Sequence, residues 1–471
     1  MPLKEINIDE VTYFDLNNQV NIPKNNQIQL DKDQEALDAF LKENVWPNVL
    51  KFDSLAQRFD WLFDNQFIER EFIAQYDLSF IEKLYAYLEG EHFNFKSFMA
   101  AFKFYNQYAL KTNDGQYYVE TYVDRVAMNA LYYANGQESL ALKLADEMIH
   151  QRYQPATPSF LNAGRARRGE LVSCFIIQTS DDMNSIGRTI NSALQLSKMG
   201  GGVGINVSNV REAGAPVMGI ANSAGGVVPI MKLLEDSFTF SSQVGARQGA
   251  GVVYLSIFHP DIMAFLSTKK ENADEKVRVK TLSLGLTVPD KFYELVRQNK
   301  TMYLFSPVDV EKVYGQSFNY VDITAEYDNM VENDAITKYR VDARMLEEEI
   351  SKLQQESGYP YIINIDVANR ENPIAGKIVS SNLCSEILQV QRPSDIDNGQ
   401  QYTRLGSDVS CNLGSINIVN MMATQDFDTS VDTMVRALTF VSDTSNLDVV
   451  PSIDKGNKEK HAIGLGEIGR A

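Results

Sequence analysis

The pentapeptide Asn382-Leu383-Cys384-Ser385-Glu386 puts an amide, a thiol and a carboxylate at alternate positions. In an extended segment, side chains two apart share a face, so Asn382, Cys384 and Glu386 are expected to project together. A thiol able to carry a radical would then lie between a hydrogen-bonding amide and a carboxylate able to act as a general base. This is a pattern for chemistry rather than for packing.

The chain has three cysteines. Cys174 lies in segment 171–177 and Cys411 in segment 408–415, and each follows a serine in a short stretch that reads as a buried strand. Taken singly, a buried cysteine is ordinarily a small hydrophobe. No pair has the Cys-x-x-Cys spacing of a zinc site or a thioredoxin-like motif, so any pairing must be made by the fold.

The elements that would position these residues fall into two textures. Up to about residue 165, segments such as 79–88 and 127–134 carry apolar residues at three- and four-residue spacing, as amphipathic helices do; the first 30 residues are richer in Asn, Gln and Asp and are expected to be partly mobile. Beyond residue 170, short apolar runs at 203–207, 252–257 and 361–365 read as strands. Between them, 227–240, 342–355 and 431–441 read as helices. This alternation implies an α/β domain, a closed barrel among the options. The glycines of 200–204 follow a helix expected over 191–198, so one of them serves as a C-cap; the remainder imply that backbone approaches something closely. Neither a Walker A nor a Rossmann fingerprint is present. Segments 211–226 and 245–251 read as loops framing one long helix.

With 471 residues, 44% of them hydrophobic and 23% charged, the chain has a globular composition and enough length for more than one structural unit. No apolar run approaches the roughly 18 residues needed to span a bilayer, and the first residues lack a signal peptide's apolar core. A cytoplasmic setting is expected, with thiols rather than structural disulfides. The net charge of −18 argues against binding nucleic-acid polymers. It does not exclude nucleotides, which helix N-termini, backbone amides and a few arginines can hold.

Five segments in order, Thr157-Pro158-Ser159-Phe160-Leu161-Asn162-Ala163-Gly164, Ser173-Cys174, 200–204, 382–386 and 410–415, resemble the large, catalytic subunit of class I ribonucleotide reductase, most closely class Ib. All three cysteines lie inside them. The resemblance implies an N-terminal helical domain over 1–165, without a complete ATP cone. Residues 166–471 would then form the first part of a ten-stranded α/β barrel whose finger loop carries the radical cysteine. It implies that Cys384 is the transient thiyl, Glu386 the base for the ribose 3′-hydroxyl, Asn382 a hydrogen-bonding partner, and Cys174 with Cys411 the reducing pair that ends as a disulfide. Substrate contacts carry over to Thr157, Ser173, Cys174, Gly202 and the whole 382–386 segment, Leu383 and Ser385 included. Without the resemblance, Thr157 reads more readily as a turn residue before Pro158. Asp181 and Arg211 match the family's effector site, with Arg247 and Gln248 in the loop that relays effector identity; either charge could otherwise be plain surface.

The implied reaction is reduction of ribonucleoside diphosphates for DNA precursor synthesis. Nucleotide effectors (dNTP or ATP) would set specificity. No cofactor or metal is expected in this chain itself, because a separate small subunit's metal cofactor supplies the radical. A glutaredoxin- or thioredoxin-like reductant and a second copy complete the expected partners. The chain ends at a point that lies inside the family's barrel, so a truncated or split subunit, inactive by itself, is expected. The competing readings are an adenosylcobalamin-dependent reductase and a non-catalytic nucleotide-binding fragment.

Overall fold

The computed structural model describes residues 12–22, 24, 28–172, 174–241, 249–424 and 426–468. Contacts divide the chain into two units, Met1–Arg168 with Leu413–Val441 and Leu465–Ala471, and Gly169–Asn412 with Ser442–Gly464.

The first unit is helical, and its helix starts are set by short polar side chains. Thr12 and Thr121 each form a capping box with the aspartate three residues on, Asp15 and Asp124, which satisfies amide groups the first helical turn cannot. Ser54 and Ser97 cap two further helices. Helix Leu78–Gly90 buries Phe80, Ile81, Leu84, Tyr85 and Leu88, the three- and four-residue rhythm of a one-sided helix. Helix Tyr122–Ala134 is buried along nearly its whole length. Helix Tyr13–Gln19 lies within the stretch expected to be partly mobile.

The second unit is built on a sheet. Its strands are β1 (Cys174–Gln178), β2 (Gly202–Asn206), β3 (Ala250–Ser256), β4 (Ser283–Val288) and β5 (Tyr361–Asn364), followed by the first residues of β6 (Val409–Asn417). The order is β6-β1-β2-β3-β4-β5. Strands β1 to β5 pair in parallel, each with the next, and β6 runs antiparallel to β1. Helices Met183–Lys198 and Val227–Phe240 make the crossovers from β1 to β2 and from β2 to β3. Every residue of β2 and β4 is buried, which is why these strands read as continuous apolar runs rather than as alternation.

The glycine-rich stretch divides between two uses. Gly200, at φ +96°, follows the end of helix Met183–Lys198 and supplies the left-handed residue a C-cap asks for. Gly202 and Gly204 lie within β2, where the absence of a side chain leaves room for the finger loop described next. A Cβ on Gly202 would meet Leu383 Cδ2 at 2.7 Å, and one on Gly204 would meet the Ser381 carbonyl oxygen at 2.0 Å.

Candidate active site

The sheet register brings two of the three cysteines together. Cys411 on β6 and Cys174 on β1 are directly paired residues of the antiparallel ladder, and such partners have Cα atoms about 4.5–5.5 Å apart. That separation is inside the range a disulfide requires. Cys411 is buried. Burial first, then Cys174 and Glu386, push its thiol up to about 12, so at neutral pH it stays an S–H and has a hydrogen to give. Cys174 Sγ donates to Glu386 Oε1 at 3.8 Å.

Residues 382–386 are not extended, and here the expectation of a shared strand face is corrected. They form a turn in which the Ser385 amide donates to the Asn382 carbonyl at 3.2 Å and Ser385 takes φ +67°, a left-handed conformation uncommon for a residue with a Cβ. The cause is local. Asn382 Oδ1 accepts from the Glu386 and Ile387 amides at 3.1 and 3.0 Å, so the side chain substitutes for a backbone acceptor, as Asx residues do in turns. Ser381 Oγ adds a bond to the Ile387 carbonyl at 2.7 Å. Cys384 is exposed at the turn. Asn382 is fully buried, yet its Nδ2 has no hydrogen-bond partner among the described residues; a buried unsatisfied donor is costly unless a ligand takes it.

Three residues hold this constellation although sequence alone does not single them out, because each acts across long chain separations. Tyr254, on β3, reaches the turn with its hydroxyl at 2.8 Å from the Asn382 carbonyl oxygen and 2.6 Å from Ser385 Oγ. Gln391 Nε2 donates to the Ile176 carbonyl on β1 at 3.3 Å and to Asp408 Oδ1 at 3.0 Å, and Gln391 Oε1 accepts from Ser380 Oγ at 3.4 Å. One buried amide therefore ties β1, the base of the finger loop and the segment leading into β6. The third is Asp408 itself, whose backbone carbonyl accepts from Lys460 Nζ at 3.1 Å.

Burial pushes the Asp408 carboxyl up to about 6, against the hydrogen bonds of Ser452 and Gln391 and the charge of Lys460. A folded-state value above the unfolded ~4 means that the folded form holds the proton more tightly. Stability then falls as pH rises from about 4 to about 6, and above that the buried charge opposes folding by roughly 2–3 kcal/mol. Asp408→Asn should be at least as stable as the parent at neutral pH and should flatten the slope of the urea midpoint between about pH 4 and 6. An unchanged slope would contradict this account.

The residues matched to an effector site are also adjacent. The Arg211 amide donates to Asp181 Oδ1 at 2.9 Å, its Nε to Asp181 Oδ2 at 2.7 Å, and its Nη1 to the Pro216 carbonyl at 2.8 Å. The loop that follows is closed by Asp261, which accepts from the Ala213 and Val227 amides at 3.0 Å each. Gly226, at φ +71°, passes so close that a Cβ there would lie 2.3 Å from Asp261 Oδ2. Arg247, Gln248 and Ser173 lie outside the described residues. Thr157 belongs to the helical unit. It begins helix Thr157–Asn162 rather than a turn, with Pro158 in the first helical turn, and its hydroxyl lies 2.8 Å from that of Tyr108.

Comparison with known proteins identifies the family of this chain. Residues 172–471 match the model of the ribonucleotide reductase barrel domain, 94–168 that of the ribonucleotide reductase all-alpha domain, and 13–93 that of the ribonucleotide reductase N-terminal region. The chain belongs to the ribonucleotide reductase family. It is 47% identical over 461 residues to the ribonucleoside-diphosphate reductase subunit alpha of Mycoplasma genitalium, covering 98% of this chain and 63% of that protein. To the Bacillus subtilis subunit alpha it is 44% identical over 459 residues, covering 97% of this chain and 65% of the relative. The Bacillus subtilis NrdEB subunit alpha is 46% identical over 374 residues, 79% of this chain and 34% of that protein. The chain thus spans less than two thirds of the length of these relatives.

Proposed function

We propose that the chain carries the catalytic thiols of a class Ib ribonucleoside-diphosphate reductase, which converts ribonucleoside diphosphates to deoxyribonucleoside diphosphates for DNA synthesis. The observation that supports this most is the direct cross-strand pairing of Cys174 with Cys411, with Glu386 in contact with the first of them. In this reading residues 1–165 are the helical domain and 166–471 contribute to the catalytic barrel. The relatives' names specify diphosphate substrates, and nothing in the matches favours a cobalamin-dependent reductase.

In this mechanism Cys384, as a transient thiyl, takes the hydrogen from the ribose 3′-carbon. Glu386 accepts the 3′-hydroxyl proton, and Asn382 Nδ2, buried and unpaired, supplies a donor to the sugar. The 2′-hydroxyl then leaves as water. Cys174 and Cys411 provide the two hydrogens and two electrons that balance the reaction: one hydrogen departs in the water, the other ends on the 2′-carbon, and an S–S bond forms between them. Cys384 finally returns its hydrogen to the 3′-carbon and is left as the thiyl again, and the radical passes back to the small subunit. A radical-bearing small subunit starts the cycle, and a glutaredoxin- or thioredoxin-like dithiol closes it. Peptide mapping after a single turnover, with the protein combined with such a small subunit, should find a substrate-dependent Cys174–Cys411 disulfide. Formation of that bond at the same level without substrate would refute the assignment.

The pair Asp181 and Arg211 belongs in this reading to a dNTP or ATP site at a contact with a second copy of the chain. Arg211 is engaged by Asp181, so a nucleotide phosphate must compete for it while Asp181 turns to a sugar hydroxyl. Loss of one charge-assisted contact is worth roughly 10- to 100-fold in affinity. Arg211→Ala should weaken effector binding by that factor, with effector-free turnover little changed. Because coupling between two sites is reciprocal in free energy, the variant should also lose the effect of substrate on effector affinity, measured by equilibrium binding.

A further inference from the structure

We propose that Tyr254 is a positioning residue for Cys384, an inference that rests on the reading of Cys384 as the radical thiol. Tyr254 is fully buried in the sheet, and its hydroxyl contacts the finger turn at both sides of the cysteine: the Asn382 carbonyl oxygen two residues before it, at 2.8 Å, and Ser385 Oγ immediately after it, at 2.6 Å. A phenol has one hydrogen to donate and lone pairs to accept. With that hydrogen on the Asn382 carbonyl, the Ser385 hydroxyl donates to the phenol oxygen. The three groups then close a ring that includes the backbone of 382–385. This ring supports Ser385 in its left-handed conformation, φ +67°, which is strained for a residue with a Cβ.

The placement is built into the sheet. Tyr254 is the direct ladder partner of Gly285 on β4, and a Cβ at Gly285 would lie 2.2 Å from Tyr254 Cε1. Only glycine leaves the ring its seat. On the other side of the cysteine, Leu383 is packed over Gly202. The turn is therefore held by a polar brace after Cys384 and an apolar contact before it, while the thiol itself is exposed.

The discriminating variant is Tyr254→Phe, which keeps the ring on Gly285 and deletes only the hydroxyl; Ser385→Ala removes the brace from the other end. The first readout needs no small subunit: the rate of alkylation of each cysteine by iodoacetamide, followed by peptide mass spectrometry. Both variants should change the Cys384 rate several-fold and leave Cys411 at its parental rate. The second readout is turnover of Tyr254→Phe with a radical-bearing small subunit, where kcat should fall roughly tenfold, the worth of one well-made buried hydrogen bond, with KM within about twofold. The double variant should be no worse than the single ones, as expected for two groups in one interaction. Parental Cys384 alkylation in both variants, or an equal change at Cys411, would overturn the proposal. Formation of the Cys174–Cys411 disulfide at the same level without substrate would instead count against the reductase reading, and the alkylation result would still decide the role of Tyr254.

Discussion

If Cys384 is the radical thiol of the proposed reaction, Cys384→Ser should lower deoxynucleotide formation by the intact enzyme by at least about 10³-fold, the scale on which removal of a reacting group acts, while leaving the fold intact. Cys384 lies exposed in a turn, and serine differs from cysteine by a single atom, so the turn should be retained. The chemistry is less forgiving. An O–H bond is much stronger than an S–H bond, so a serine oxygen is not oxidised where a sulfur would be, and nothing abstracts the 3′-hydrogen. Cys411→Ser tests the complementary half. It leaves the radical thiol in place and removes one of the two reducing hydrogens, so hydrogen abstraction should persist, detectable as exchange or loss of label from the 3′-carbon, without a deoxynucleotide product. Two null variants with different signatures would separate the roles of the two thiols. If Cys384→Ser retained more than a few per cent of parental turnover, the radical assignment would be wrong.

The sequence shows the residues of this site more clearly than it shows their arrangement. The short stretches around Cys174 and Cys411 read as buried strands, and the register of β1 against β6 supplies the pairing that spacing does not. The finger segment was misleading because alternation of polar types looks the same in a strand and in a turn. What decides is Asn382, whose side chain takes two backbone amides, and an asparagine followed by short polar residues is the signal that favours the turn. Glycines 202 and 204 were legible as places of close approach, but not what approaches. Tyr254, Gln391 and Asp408 stayed hidden, since their partners lie tens to hundreds of residues away and only strand order brings them together.

That same close approach gives the second large effect. Gly204→Ala adds one methyl group within β2, where the backbone is extended and alanine meets no conformational penalty of its own. The new Cβ would lie 2.0 Å from the Ser381 carbonyl oxygen and 2.9 Å from Asn382 Cα, both backbone atoms of the finger loop rather than the yielding end of a side chain. Strand β2 is held on both sides, Gly204 pairing with Ile176 and with Val252, so the loop is what must move. Overpacking of this kind destabilises by about 1–3 kcal/mol. The functional loss should be larger than the stability loss, because displacing a reacting group by about an ångström costs roughly 10²-fold in rate. Gly90→Ala serves as the control, since it sits at the end of helix Leu78–Gly90 with nothing within 4 Å of an added Cβ, and it should be neutral or slightly stabilising. Turnover in Gly204→Ala should therefore fall at least about 10²-fold at a temperature where the protein remains folded. Parental turnover in that variant would show that the turn does not need its present seat on β2.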